Sequence, residues 1–297
     1  MRITFIGLGR MGSPMAINLL HDHPGLLVSS RSGSAYPELA RRGASTSNDP
    51  VRLACCDLLF LCLPDGAAVH ERLFGSDGLA VHLQPGCTVV DTSTTDYLHA
   101  QRIAERLATL GIGFVDAPVS GMPSRAADGS LTAMCGGDLA AFERVRPYLQ
   151  SMATHILHMG PVGSGQLAKL VNQLLFDINC AAIAEILPMA VKLGLDAEKI
   201  CHVVNHGTGR SHASLHFLPQ ILANRFDSGY PLENAYKDLL QGANLSAQNG
   251  IPLPVLAAAT VTYQTALRLG HGSSDKGAMI KVYEALLDVQ VRATASC

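Results

Sequence analysis

The residues best suited to do chemistry lie in the run Gly163-Ser164-Gly165-Gln166-Leu167-Ala168-Lys169-Leu170-Val171-Asn172-Gln173. Lys169, Asn172 and Gln173 stand at i, i+3 and i+4, so on a helix they share one face. A lysine beside two amides, flanked by Leu170, Val171 and Leu174, is not the composition of a solvated face. Desolvation in a cleft would disfavour its charged form and lower its pKa. That would suit proton exchange with an alcohol near neutral pH.

A second constellation is Gly7-Leu8-Gly9-Arg10-Met11-Gly12, which fits G-x-G-x-x-G. It follows the apolar run Arg2–Ile6 and precedes a helical pattern from Ser13 to Leu20. In that context Gly7 allows a tight turn, Gly9 lets a pyrophosphate approach the backbone, and Gly12 lets helix pack on strand. The free N–H groups at the helix start would face the phosphates. A second strand ends Ser29-Ser30-Arg31-Ser32. An acidic residue at this point would bond a ribose 2′-hydroxyl, whereas Arg31 suits a 2′-phosphate. The expected cofactor is therefore NADP, with NAD as the alternative. An oxidised nicotinamide beside Lys169 would add to the lowering of its pKa.

Ligands of doubly wound sheets sit outside the carboxyl ends of the strands. Leu63-Pro64-Asp65, Thr92-Ser93-Thr94 and Asp116-Ala117-Pro118-Val119-Ser120-Gly121 each follow an apolar run. Their joint placement lines one edge with hydroxyls and backbone donors. The strands that position them are read at Arg2–Ile6, Leu26–Ser30, Leu58–Leu63, Thr88–Asp91, Gly113–Val115, Leu131–Cys135 and His155–His158. Helical spacing falls between them, the alternation of an α/β domain. After Gly160-Pro161 the pattern becomes helical: one long helix from about Ser164 to Leu193, kinked at Pro188, then Ala197–Asn205, Leu215–Ala223, Tyr236–Gln248, Val255–Leu269 and Asp275–Val289. The predicted architecture is a Rossmann-type doubly wound sheet domain (1–162), an interdomain helix (163–193) and an all-helical C-terminal domain (194–297), with the site in the cleft between the domains.

Composition narrows the function classes. With 297 residues, two domains are expected. Net charge is −2, with 22 Lys+Arg against 24 Asp+Glu, so no charge excess points to nucleic acid or anionic lipid. Mean hydropathy is +0.22, but Leu174–Leu193, the most apolar long stretch, carries Asp177, Asn179, Glu185 and Lys192, too many polar groups to face lipid. The N-terminal apolar run is too short for a signal-peptide core, and a cytoplasmic location is expected. The eight cysteines include no C-x-x-C pair and read mostly as buried thiols. His202 with His206 and His212 with His216 have metal-compatible spacing but no completing ligand set, so no metal is expected.

Five segments together resemble the β-hydroxyacid dehydrogenase family, which includes 3-hydroxyisobutyrate dehydrogenase, tartronate semialdehyde reductase and glyoxylate/succinic semialdehyde reductases. They are Phe5 to Leu19; Asp91-Thr92-Ser93-Thr94; Asp116 to Gly121, with Asp128-Gly129-Ser130-Leu131 and Gly136-Gly137-Asp138 after it; Gly163-x-Gly165-x-x-x-Lys169-x-x-Asn172; and Tyr236-Lys237-Asp238-Leu239 with Pro252-Leu253-Pro254 and Gly272-x-x-Asp275. The resemblance implies reversible hydride transfer between a nicotinamide cofactor and a short hydroxy acid or its semialdehyde. It implies Lys169 as the catalytic lysine, Ser120 and Gly121 as carboxylate holders, and Asn172 as the amide beside the lysine. Thr94 and Lys237 would lie near the cofactor, and Asp238 would be the acidic partner near the lysine. Leu63 and Pro64 join the expected cofactor set. A homodimer or homotetramer built through the helical domains is also implied.

Two departures bear on substrate. The family commonly has Ser-Gly-Gly where this chain has Ser120-Gly121-Met122, and some members have a second asparagine where it has Gln173. Met122 and Gln173 are therefore counted with the expected substrate-binding residues. Arg125, Arg210 and His212 are further candidates for charge at the rim. Rival readings are an imine reductase, against which the presence of Lys169 counts, and a non-catalytic nucleotide-sensing protein on the same fold.

Overall fold

The computed structural model describes residues 1–227 and 229–293. Cys297, counted among the thiols, lies outside the described residues. The chain divides into two compact units, the first Met1–Lys169 and the second from Leu170 onward.

The first unit is a sheet layered between helices. Its strands, among the described residues, are β1 (Ile3–Ile6), β2 (Leu27–Ser29), β3 (Ser45–Thr46), β4 (Leu58–Leu61), β5 (Thr88–Asp91), β6 (Gly113–Asp116), β7 (Val119–Ser120), β8 (Leu131–Gly136) and β9 (Ala153–Gly160). They run in the order β3-β2-β1-β4-β5-β6-β8-β7, with β9 also on β8. Pairing is parallel from β3 to β6. β8 is antiparallel to both β6 and β7. Every residue of β1, β4 and β5 is buried, as strands covered on both faces must be. Alternation assigns the faces. Phe5 stacks on Phe60 at 6.1 Å and packs with Met15 and Leu19, while Ile6, Leu59, Leu61 and Val89 join the opposite core.

The crossovers are α1 (Gly12–Asp22), α2 (Tyr36–Arg41), α3 (Pro50–Ala54), α4 (Gly66–Phe74), α5 (Tyr97–Ala108), α6 (Met122–Ala127) and α7 (Leu139–Leu149). Asp65, Asp96 and Asp138 each accept a first-turn N–H and so start α4, α5 and α7. The strand order reverses between β1 and β4, which places a topological switch point beside the glycine turn. Sequence reading missed β3 and β7. Each is two residues long and carries no apolar run.

The long helix α8 (Ser164–Lys192) begins in the first unit and continues into the second. It runs unbroken through Pro188, although that proline gives up one backbone donor. The second unit adds α9 (Ala197–His206), α10 (His212–Leu222), α11 (Leu232–Asn249), α12 (Pro254–Arg268) and α13 (Ile280–Leu287). The single helix expected over Asp275–Val289 is instead a 3-10 turn, Lys276–Met279, followed by α13. The Asp275 carboxylate accepts the Gly277 N–H and starts the tighter turn.

By length and composition α8 is apolar enough to cross a membrane. Packing accounts for that composition, because Cys180, Ala181, Ala184 and Leu187 form part of the second unit's core with Phe217, Leu239 and Tyr263. Asp177, on the same helix, is fully buried. It pairs with Lys276 and accepts the Tyr263 hydroxyl at 3.2 Å. Desolvation pushes its carboxyl up to about 6, against the pull of Lys276. Five of the seven described cysteines are buried as expected; Cys62 is half-buried, and Cys55, at the end of the short α3, is exposed.

Candidate active site

The glycine turn joins β1 to α1, and packing within the protein requires two of its three glycines. Gly7 has φ +101°, and a Cβ there would lie 2.1 Å from the Cys62 carbonyl oxygen. A Cβ on Gly12 would lie 1.8 Å from the Gly7 carbonyl oxygen. Gly9 differs, since a Cβ there meets nothing within 4 Å. Its missing side chain is thus not needed for folding and leaves open space above the backbone. No side chain caps α1, and its first turn holds no acidic residue, so its N–H groups suit an anion. Arg10 is exposed, Leu8 is buried, and Met11 is half-buried. This donor set fits a dinucleotide pyrophosphate.

At the end of β2 the Ser30 N–H donates to the Tyr36 hydroxyl at 2.8 Å, and Tyr36 donates to Asn48 Oδ1 at 2.8 Å. Those bonds fold the loop so that Arg31 is exposed. Neighbouring Ser32 and Ser34 hydroxyls lie 3.0 Å apart.

The ends of β4, β5 and β6 are tied together by hydrogen bonds. The Leu63 N–H donates to Ser93 Oγ at 2.8 Å, and the Ser93 N–H donates to Asp91 Oδ1 at 3.0 Å. Burial pushes the Asp91 carboxyl up to about 7, and the nearby Asp116 charge adds to the rise. Asp91 Oδ2 is buried without a hydrogen-bond partner. Pro64 and Thr94 are exposed at this edge. On β6, Asp116 is fully buried and receives the Gly163 N–H at 2.7 Å and the Gln166 N–H at 2.9 Å. Burial pushes its carboxyl up to about 6, opposed by these N–H donors. Gly165 fits only without a side chain, since a Cβ would meet the Met134 carbonyl at 2.3 Å. Three residues beyond Gln166, Lys169 is buried at 8% exposure.

Ser120 ends β7 and is half-buried. Gly121 has φ +144°, and a Cβ there would press on Arg125 and Leu131 at 2.8 and 2.9 Å. Met122 follows with φ +65°, an outlier for a residue with a side chain. Arg125, a candidate for the rim, instead bonds Ser130 Oγ and carbonyl within its own loop.

In the second unit Gln173 donates to Asp238 Oδ2 at 3.2 Å, bringing together two expected substrate residues from α8 and α11. Asn172 and Lys237 are exposed. Among the described residues no group of three or more metal-ligating side chains comes together. The His206 ring bonds the His202 carbonyl at 2.8 Å, and the two rings stack at 3.9 Å.

A family model described as the NAD binding domain of 6-phosphogluconate dehydrogenase matches residues 2–160. Another, described as the NAD-binding part of NADP-dependent 3-hydroxyisobutyrate dehydrogenase, matches residues 163–283. The chain belongs to the β-hydroxyacid dehydrogenase family. It is 33% identical to 2-(hydroxymethyl)glutarate dehydrogenase of Eubacterium barkeri over 98% of this chain and 97% of that protein. It is also 33% identical to 2-hydroxy-3-oxopropionate reductase of Escherichia coli K12, over 96% and 98%. A crystal structure of 3-hydroxyisobutyrate dehydrogenase from Salmonella typhimurium covers 95% of this chain and 99% of its own, with TM-score 0.86 and 28% identity. This is a family of nicotinamide-dependent oxidoreductases acting on CH–OH groups of hydroxy acids, and the chain is an enzyme of that kind.

Met122 takes the left-handed backbone that glycine adopts freely, at a position where a side chain stands in place of the family's common glycine. The roles of Asp116 and Gln166 were not legible beforehand. Both stood inside recognised motifs, but nothing in the spacing said that they bond each other's elements.

Proposed function

We propose that the enzyme transfers hydride reversibly between NADP(H) and a short β-hydroxy acid or the corresponding semialdehyde, of the 3-hydroxyisobutyrate, tartronate semialdehyde, glyoxylate or succinic semialdehyde class. The observation that carries this reading is the burial of Lys169 on a helix whose start is bonded to the carboxyl ends of the sheet. The glycine turn from Gly7 to Gly12, with Leu63, Pro64, Thr94 and Lys237, would hold the cofactor, and Arg31 would take its 2′-phosphate. When bound, the nicotinamide supplies or accepts the hydride.

Lys169 donates its proton to the alkoxide forming at the substrate oxygen, and takes it back in the oxidative direction. Ser120, the Gly121 and Met122 backbone and Asn172 hold the substrate carboxylate. Gln173 and Asp238, bonded to each other at 3.2 Å, would add an amide and a carboxylate to the substrate-binding set. The enzyme acts in the cytoplasm as a homodimer or homotetramer on this reading.

The test is Lys169→Ala, assayed with NADPH against a panel of small semialdehydes. General acid catalysis typically contributes about 10²- to 10⁴-fold, and kcat should fall by that order. The NADPH dissociation constant, read by fluorescence, should stay within about threefold, since Lys169 is assigned to proton transfer. A kcat close to that of the wild type would overturn the assignment.

A further inference from the structure

The geometry points to Gln166 as a positioning residue that, with Asp116, sets where the helix carrying Lys169 starts on the sheet edge. The inference rests on the proton-transfer role proposed for Lys169. Gln166 is 1% exposed, and its side-chain amide bonds the sheet edge through both its oxygen and its nitrogen. Its side-chain oxygen accepts the Thr95 N–H at 2.9 Å, and its side-chain nitrogen donates to the Ser93 carbonyl at 2.8 Å. Its own N–H donates to Asp116 Oδ2 at 2.9 Å. One residue thus grips the loop after β5 with its side chain and the end of β6 with its backbone.

The two grips have complementary tasks. Asp116 receives the N–H of Gly163, just before α8, and that of Gln166 in its first turn, and so fixes the axial start of the helix. The amide of Gln166 fixes the rotation of the helix about that start. A helix turns by 3.6 residues, so a change of rotation at 166 swings the side chain at 169 sideways. The same amide orders Ser93 to Thr95. Ser93 in turn holds the Leu63 N–H, and Thr94 belongs to the proposed cofactor edge. Gln166 therefore joins the proton donor and the cofactor edge through one side chain. An apolar residue of the same length would keep the packing but lose this alignment.

The variants are Gln166→Met, which preserves length and removes both bonds, and Gln166→Glu. Wild type and Lys169→Ala are measured alongside. For Gln166→Met the expected result is a kcat about 10- to 100-fold lower, the scale of a misplacement of roughly 1 Å. The NADPH dissociation constant should change far less than kcat.

Gln166→Glu supplies a signature that lost packing does not. A protonated carboxyl at this position restores both the acceptor and the donor, whereas the ionised form faces the Ser93 carbonyl with no proton. Burial and the Asp116 carboxylate favour the protonated form. The ratio of variant to wild-type kcat should therefore rise at least several-fold as pH falls through the acid range. Asp91 titrates in both proteins and cancels in the ratio, which leaves the carboxyl introduced at 166 and its coupling to the neighbouring Asp116.

If Lys169→Ala abolishes turnover but Gln166→Met keeps kcat within about twofold, the positioning role is wrong and the proposed function stands. If Gln166→Met does not fold, a pH-independent ratio for Gln166→Glu overturns the inference. If Lys169→Ala retains wild-type kcat, both the proposed function and this inference fall together.

Discussion

A paired substitution in the glycine turn separates what that turn does for the fold from what it does for the cofactor. In Gly12→Ala the new methyl would lie 1.8 Å from the Gly7 carbonyl oxygen, 3.0 Å from the Gly7 carbonyl carbon and 3.2 Å from Cys62 Cβ. That oxygen cannot retreat cheaply, because Gly7 is held by its N–H to the Ser29 carbonyl at 3.0 Å. Overpacking of this kind costs about 1–3 kcal/mol and sometimes more. The helix preference of alanine over glycine offsets at most about 1 kcal/mol. A net loss of about 2 kcal/mol should lower the melting temperature by roughly 4–8 °C for a unit of this size. In Gly9→Ala the methyl meets nothing within 4 Å, and the backbone is outside the left-handed region. Stability should then stay within about 0.5 kcal/mol. The methyl does occupy the space offered to the pyrophosphate, so NADPH affinity should fall at least about tenfold, or 1.4 kcal/mol. Scanning calorimetry and NADPH fluorescence titration on both variants check the pair. Unchanged NADPH affinity in Gly9→Ala would refute the reasoning about the open face. An unchanged melting temperature in Gly12→Ala would refute the packing account.

Three further outcomes are expected. Arg31→Ala should reduce the preference for NADPH over NADH in kcat/KM by roughly 10- to 100-fold, the scale of a hydrogen bond to a charged group; equal preference in wild type and variant removes the assignment. Asp91 has its folded-state pKa raised to about 7 by burial, above the ordinary value of about 3.9 in the unfolded chain. The native state therefore binds the extra proton, and stability falls as pH rises from about 4 to 7. Asp91→Asn should remove about 3 kcal/mol of that decline between about pH 5 and pH 8, and parallel pH profiles by urea denaturation would contradict it. Lys276→Met leaves the Asp177 carboxylate buried without its cation, which should cost about 3–5 kcal/mol. Adding Asp177→Leu should recover most of the loss, and a single-variant cost under about 1 kcal/mol would show that the pair is not held as described.

The parts of this enzyme that could be read in advance are those where the cause is local along the chain. The apolar run Leu58–Leu61 is a buried strand because every position packs against one of two cores. The glycines at 7 and 12 are required by the sterics of one turn, and Gly9 between them leaves its face open. The helical period after Ser164 predicts α8 without reference to any partner. The two-residue strands β3 and β7 escaped because pairing with β2 and β8, not hydrophobic pattern, makes them strands. The split after Asp275 escaped because a carboxylate cap, rather than periodicity, decides the tighter turn.

The chain by itself therefore determined the family, the strand–turn–helix and the long helix that carries Lys169, since these depend on residue type and short spacing. Only the tertiary structure decided what holds that lysine's helix in place. Asp116 and Gln166 are 50 residues apart, and Gln166 and Ser93 are 73 apart. The pairing of Asp177 with Lys276 spans 99 residues. A buried polar group must find its partner wherever the fold brings one, and sequence distance carries no record of that meeting.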